Sequence, residues 1–135
     1  MVGLVGVYDA DGSLVGELRY WIGARFGRTH CALCDITHTS VRERRAWRDC
    51  RSGLAVPFET VHRDERTPEI VAASRDLAPV VVARTDDGGV HLLLAPEAVA
   101  GAAGASDPIA ALLDAVEAAG TAAGLVWPVG GLRSA

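Results

Sequence analysis

The sequence predicts a single α/β domain built on a mixed sheet of about four strands, and three observations carry that expectation. Val2 to Tyr8 (VGLVGVY) is an apolar, valine-rich run that stops at a polar turn, as a buried strand does. From Ser13 the apolar period changes to three and four residues, the mark of a helix packed by one face. Farther along, Val80 to Arg84 and Val90 to Leu94 are β-rich runs separated by a polar, glycine-containing stretch at Asp86 to Gly89, which reads as an antiparallel hairpin.

Taken in order, the first strand runs from Val2 to Tyr8 and ends in the turn Asp9-Ala10-Asp11-Gly12. Leu14, Leu18, Trp21, Ile22 and Phe26 share one face of a first helix, with Ser13 as its cap and Gly27 as its stop. The segment His30 to His38 follows as a connection. Thr39 or Ser40 opens a second helix, because Ser40 followed by Glu43 has the form of a capping box. Val41, Trp47, Cys50 and Leu54 fall on its inner side; Arg42, Arg44, Arg45, Arg48 and Arg51, with Glu43 and Asp49 interspersed, make a solvated outer face.

Val56 to His62 alternates as a second strand, and Thr67 to Leu77 begins Thr-Pro-Glu, a helix start with proline at the first position. Pro96 closes the hairpin. Ser106-Asp107-Pro108 starts an amphipathic last helix carrying Ile109, Leu112, Leu113 and Val116, whereas Gly101 and Gly104 weaken any helix before it. Leu125 to Ala135 is expected on the surface, with Trp127 tucked back onto the body.

The chain has 135 residues, enough for one domain over 1–135 that buries roughly two thirds of its unfolded surface. Its apolar stretches are too short and too interrupted to span a bilayer, and the start lacks the basic, apolar and small-residue regions of a secretory leader. A cytoplasmic location is therefore expected, where three cysteines (Cys31, Cys34, Cys50) act as thiols, metal ligands or redox groups rather than as a disulfide framework. The formal net charge of -4 offers no global basis for nucleic-acid binding.

The order strand, helix, helix, strand, helix, strand, strand, helix resembles the thioredoxin-like fold, a three-layer sandwich, with one extra helix before the second strand. Ala78-Pro79 stands immediately before the third strand, where that family commonly carries a cis-proline beside its active site. The resemblance covers roughly residues 2 to 118. The family's redox cysteines sit just after the first strand, and here that place holds Asp9-Ala10-Asp11-Gly12-Ser13. Tyr8-Asp9-Ala10-Asp11-Gly12 also resembles the opening of the DCC thiol-disulfide oxidoreductases, whose Tyr-Asp-Gly pattern leads into a CxxC, but it carries no thiol. Cys31 and Cys34 follow the first helix, so they are expected near the opposite edge of the sheet from the family's usual site.

The stretch Asp9 to Leu14 is similar, in addition, to motif I of the haloacid dehalogenase-like phosphotransferases, an apolar strand followed by DxDG[ST]L. That resemblance implies Asp9 as the nucleophile toward phosphorus and a Mg²⁺ ligand, and Asp11 as acid and base. Asp86 and Asp87 imitate the family's late acidic motif. The chain has no lysine for the phosphate-clamping position, and Asp86-Asp87-Gly88-Gly89 fits a hairpin turn better than the end of a parallel strand.

The distinctive chemistry lies in His30-Cys31-Ala32-Leu33-Cys34-Asp35-Ile36-Thr37-His38. Cys31, Cys34 and His38 are spaced so that two thiolates and an imidazole converge on one ion, a donor set suited to Zn²⁺, with Cu⁺ as the thiolate-favoured rival. The fourth position falls to His30, Cys50, Asp35, a water or a partner's side chain. The same cysteines serve equally for thiol-disulfide exchange with a protein or thiol partner, which requires a thiol acidified by His30, His38 or the helix start near Ser40. Without either role they are small buried thiols in an apolar connection. The cluster is neither a c-type haem site, because Asp35 follows Cys34, nor an all-cysteine iron-sulfur site.

His62, near Asp64 and Glu65, ends the second strand and approaches Asp9 and Asp11 if those strands are neighbours; His91 reads as a surface side chain. The first expectation is thus a small cytoplasmic metal-binding protein using Cys31, Cys34 and His38 with His30. The second is a thiol-disulfide oxidoreductase using Cys31 and Cys34, and the third a small phosphotransferase using Asp9 and Asp11.

Overall fold

Strand β1 (Gly3–Val7) lies inside the sheet, and every residue from Leu4 to Tyr8 is buried. The computed structural model describes residues 3–8, 32–39, 42–43, 45–128 and 131–132. The expected first helix from Ser13 to Phe26 lies outside the described residues, as do Asp9, Asp11, His30 and Cys31. The remaining elements are α1 (Ala32–Thr37), β2 (His38–Thr39), β3 (Arg42–Glu43), α2 (Arg45–Ser52) and β4 (Phe58–Val61). A 3₁₀ turn (Arg63–Glu65), α3 (Pro68–Ser74), β5 (Val80–Arg84), β6 (Val90–Leu94), α4 (Pro96–Ala103) and α5 (Pro108–Ala122) follow.

The four-stranded mixed sheet has the order β4-β1-β5-β6. β1 runs parallel to β4, with Leu4 opposite Phe58 and Val7 opposite Val61, and antiparallel to β5, with Val7 opposite Val80. Each face buries its own cluster. Alternation along β1 sends Leu4 and Tyr8 to one side, where Leu33, Ile36, Trp47, Phe58, Val99, Leu112, Leu113 and Val116 build the larger core. Val5 and Val7 go to the other side, against Ile70 of α3, Val80 and Val82. Burial on both faces explains why β5 reads as an unbroken Val80-Val81-Val82-Ala83 run. The result is an α/β domain with helices on both faces of a mixed sheet. Among the described residues no helix is long and apolar enough to cross a membrane.

Several boundaries differ from expectation for identifiable reasons. The cysteine segment is itself helical from Ala32, since Leu33, Ile36 and Thr37 repeat at helical spacing and all three are buried. The helix expected from Ser40 instead begins at Arg45, because β2 and β3 pair antiparallel with His38 opposite Glu43 and Thr39 opposite Arg42. Glu43 is a strand residue and not the third residue of a capping box. Of the four residues assigned to that helix's inner side, Val41 lies outside the described residues, Trp47 is fully buried, Leu54 lies beyond the helix end against the core, and Cys50 is exposed.

β4 starts at Phe58 rather than Val56, and His62 leaves the strand to cap the 3₁₀ turn. Thr67 caps α3 by accepting from the Ile70 amide at 3.3 Å, and the helix stops at Ser74 because Arg75 and Asp76 turn left-handed, at φ 55° and 59°. α4 forms despite Gly101, since Pro96 preorganises its first turn while Val99 and Ala102 bury its inner side. Asp107 caps α5 at the place read from the sequence, accepting from the Ala110 amide at 3.2 Å.

The chain end is only in part a surface segment. Trp127 folds back onto Gly120 and donates from Nε1 to the Glu117 carbonyl at 3.2 Å. Leu132, however, is fully buried in the larger core.

Candidate functional site

Helix α1 brings the cysteine segment onto the sheet. Leu33 lies over Gly6: a Cβ at Gly6 would stand 3.1 Å from Leu33 Cδ2 and 3.2 Å from Phe58 Cε1, so glycine eases the close approach of the helix, and a larger residue would press on both side chains. One turn later the buried Thr37 hydroxyl donates to the Leu33 carbonyl at 3.1 Å and shares a 2.8 Å hydrogen bond with the Tyr8 hydroxyl. Tyr8 is the residue that follows β1. The helix bearing Cys34 is therefore laid over β1 and fastened at that strand's carboxyl end, rather than set apart at the far edge of the sheet.

Of the expected ligands, Cys34 belongs to α1 and His38 opens β2 directly after it, while His30 and Cys31 lie outside the described residues. Asp35, an alternative fourth ligand, is also part of α1. Cys50 is a free, exposed thiol on α2. Among the described residues no three His, Cys, Asp or Glu side chains gather as a metal-ligand group.

The polar constellation that the described residues do assemble stands at the same end of the sheet. Because β1 and β4 are parallel neighbours, Tyr8 and His62, which follow them, come side by side; their ring centroids are 5.3 Å apart at a tilt of 53°. One carboxylate oxygen, Oε1 of Glu65, accepts from the His62 backbone amide at 2.7 Å and meets His62 Nδ1 at 2.8 Å. The expected neighbourhood of His62 and β1 is thus present, and the carboxylate that orients the ring is that of Glu65. Asp9 and Asp11, named with His62 from the sequence, lie outside the described residues. Tyr8 and Thr37 had no sequence signal beyond a polar tip on an otherwise apolar face.

The His62 amide, and then its ring, hold the Glu65 carboxyl below its ordinary value. A depressed folded-state pKa means that the contact stabilises the turn above the unfolded-state pKa and is lost as pH falls through the lower, folded-state one. An NMR titration should show the His62 amide resonance moving with a midpoint below the ordinary glutamate value of about 4.3. A midpoint at or above that value would contradict the contact.

Asp86 and Asp87, read as mimics of a late acidic motif, are exposed in the β5–β6 turn. Asp87 accepts from the Thr85 hydroxyl and from the Gly89 amide, and these bonds lower its pKa. Gly88 closes the turn at φ 84°. Arg45, Arg48 and Asp49 are exposed on α2 and His91 is exposed on β6, the solvated positions read from the sequence. No protein-family model, curated protein or solved structure matches this chain.

Proposed function

We propose that this chain is a thioredoxin-like domain in which Cys31, Cys34 and His38, flanked by His30, bind a soft or borderline transition-metal ion, most simply Zn²⁺, with Cu⁺ as the rival. The observation that carries this is the docking of α1 and β2. Leu33, Ile36 and Thr37 anchor the backbone that bears Cys34 and His38, so their four-residue separation is held on packed structure rather than on a loop. Two thiolates and an imidazole fit such an ion, and a cytoplasmic setting keeps the thiols reduced.

The thioredoxin-like part is supported by the strand order β4-β1-β5-β6 and by α3 on the face opposite α1 and α5. The alternative reading uses Cys31 and Cys34 for thiol-disulfide exchange, one as the attacking thiolate and the other resolving the mixed disulfide.

Elemental analysis of protein purified without added metal separates the two. About one equivalent of metal per chain, lost in Cys34→Ser, is expected for the binding role. Metal-free protein that cycles between dithiol and disulfide, with the cycle lost in the same variant, would replace metal binding by the redox role.

A further inference from the structure

The geometry points to the outer edge of β4 as a docking site for an extended, basic peptide segment of a partner protein, which joins the sheet as an added strand and sets a cationic side chain against Glu59.

The backbone supplies the first support. β4 ends the order β4-β1-β5-β6, so only one of its sides is paired. The Leu4 amide donates to the Pro57 carbonyl at 2.8 Å and the Tyr8 amide to the Val61 carbonyl at 2.9 Å. Strand alternation therefore aims the peptide groups of Glu59 and Val61 at β1 and those of Phe58 and Thr60 outward. Among the described residues these outward N–H and C=O groups have no hydrogen-bond partner. An open groove of about 490 Å³ follows them, lined without a break by Pro57 to Val61 and also by Arg51 and Ser52 of α2. Consecutive strand residues belong to opposite faces, so a groove that meets all of them lies on the edge itself, where an extended chain is held by its main chain.

The two edges of the sheet are not alike. Pairing of β6 with β5 slips between Val81 and Val82, leaving Leu93 as an extra residue, and such a bulge bends an edge away from further pairing. The register of β4 with β1 is continuous from Leu4 opposite Phe58 to Val7 opposite Val61. Charge then selects the occupant. Glu59 is exposed on the face shared by Val5 and Val61; Arg84 lies on that face two strands away and makes no ion pair with it among the described residues. A side chain opposite Glu59 on an added strand stands roughly 5 Å from it, close enough for a basic residue to be favoured and an acidic one opposed. A second copy fits less well. Two-fold antiparallel pairing of Phe58 with Thr60 sets Glu59 against its own counterpart, and the register centred on Thr60 pairs Phe58 with His62, whose amide is already given to Glu65.

The test is an NMR titration of the isotope-labelled full chain with a synthetic peptide of alternating threonine and valine carrying one central arginine, and with the same peptide carrying glutamate there. The arginine peptide is expected to shift the Phe58 and Thr60 amides and slow their exchange with deuterium, and to bind more tightly than the glutamate peptide. N-methylation of its pairing amides should abolish binding. Glu59→Lys should reverse the preference, weakening the arginine peptide by about 5-fold and strengthening the glutamate peptide by a similar factor. Should that variant fail to fold, the wild-type preference between the two peptides decides. Unmoved Phe58 and Thr60 amides, or equal affinity for both peptides, would overturn the proposal. A dimer in sedimentation with those two amides protected in the absence of peptide would also overturn it, giving the edge to a second copy of the chain.

Discussion

Replacing Trp47 with alanine is expected to remove about 3–5 kcal/mol of stability, a large share of what a domain of this size possesses. Trp47 is fully buried and stands edge-on to Phe58 of β4, with ring centroids 5.0 Å apart and planes at 89°. It is the buried residue of α2, so the contact is what docks that helix on the sheet. Among the described residues its Nε1 hydrogen, however, finds no hydrogen-bond partner, and an unsatisfied buried donor costs about 1–3 kcal/mol. Trp47→Phe keeps the edge contact and removes the orphan donor at the expense of some volume, so it should fall within about 1.5 kcal/mol of the parent. Urea unfolding followed by far-UV circular dichroism measures both. An alanine variant that loses less than about 1 kcal/mol would show that α2 is docked by something other than Trp47.

Leu132→Ala should cost about 2–4 kcal/mol, an effect far larger than a residue near the chain end ordinarily shows. The segment around Leu132 ties two distant parts of the fold together. The Leu132 amide donates to Glu117 Oε1 of α5 at 2.6 Å, the Ala55 amide between α2 and β4 donates to the Leu132 carbonyl at 2.9 Å, and the side chain fills the larger core. Gly131 turns at φ 87°, where a Cβ would collide with Glu117 Oε1. The Ala55 amide should accordingly exchange with deuterium much faster in Leu132→Ala, with amides in the centre of β5 following the global loss of stability alone. Glu117→Gln, which retains an acceptor, should be far milder than Glu117→Ala. Wild-type exchange at Ala55 in the alanine variant would mean that the segment merely rests on the core.

Local patterns carried the strands of the four-stranded sheet and helices α3 and α5. The apolar runs at Val2 to Tyr8 and Val80 to Ala83 announced strands, the polar glycine turn announced the β5–β6 hairpin, and Thr67-Pro68 and Asp107-Pro108 announced the helix starts that Thr67 and Asp107 cap. Each of these rests on contacts within a few residues, which is what a sequence window holds. The capping-box form at Ser40 and Glu43 misled for the same reason: it is a local pattern, and the cross-strand pairing of His38 with Glu43 competes with it. The site divided along the same line. Cys31, Cys34 and His38 are legible as a motif because their chemistry needs only short spacing.

What the sequence by itself determined is the alternation of strand and helix and the presence of a thiol-imidazole motif, both encoded in periodicity and spacing. Only the tertiary structure decided that α1 lies over β1 through Gly6, that Leu132 belongs to the core, and that His62, with Glu65 on its ring, stands beside Tyr8. The physical reason is the parallel pairing of β1 with β4, which sets the residues after both strands side by side although some fifty positions part them in the chain.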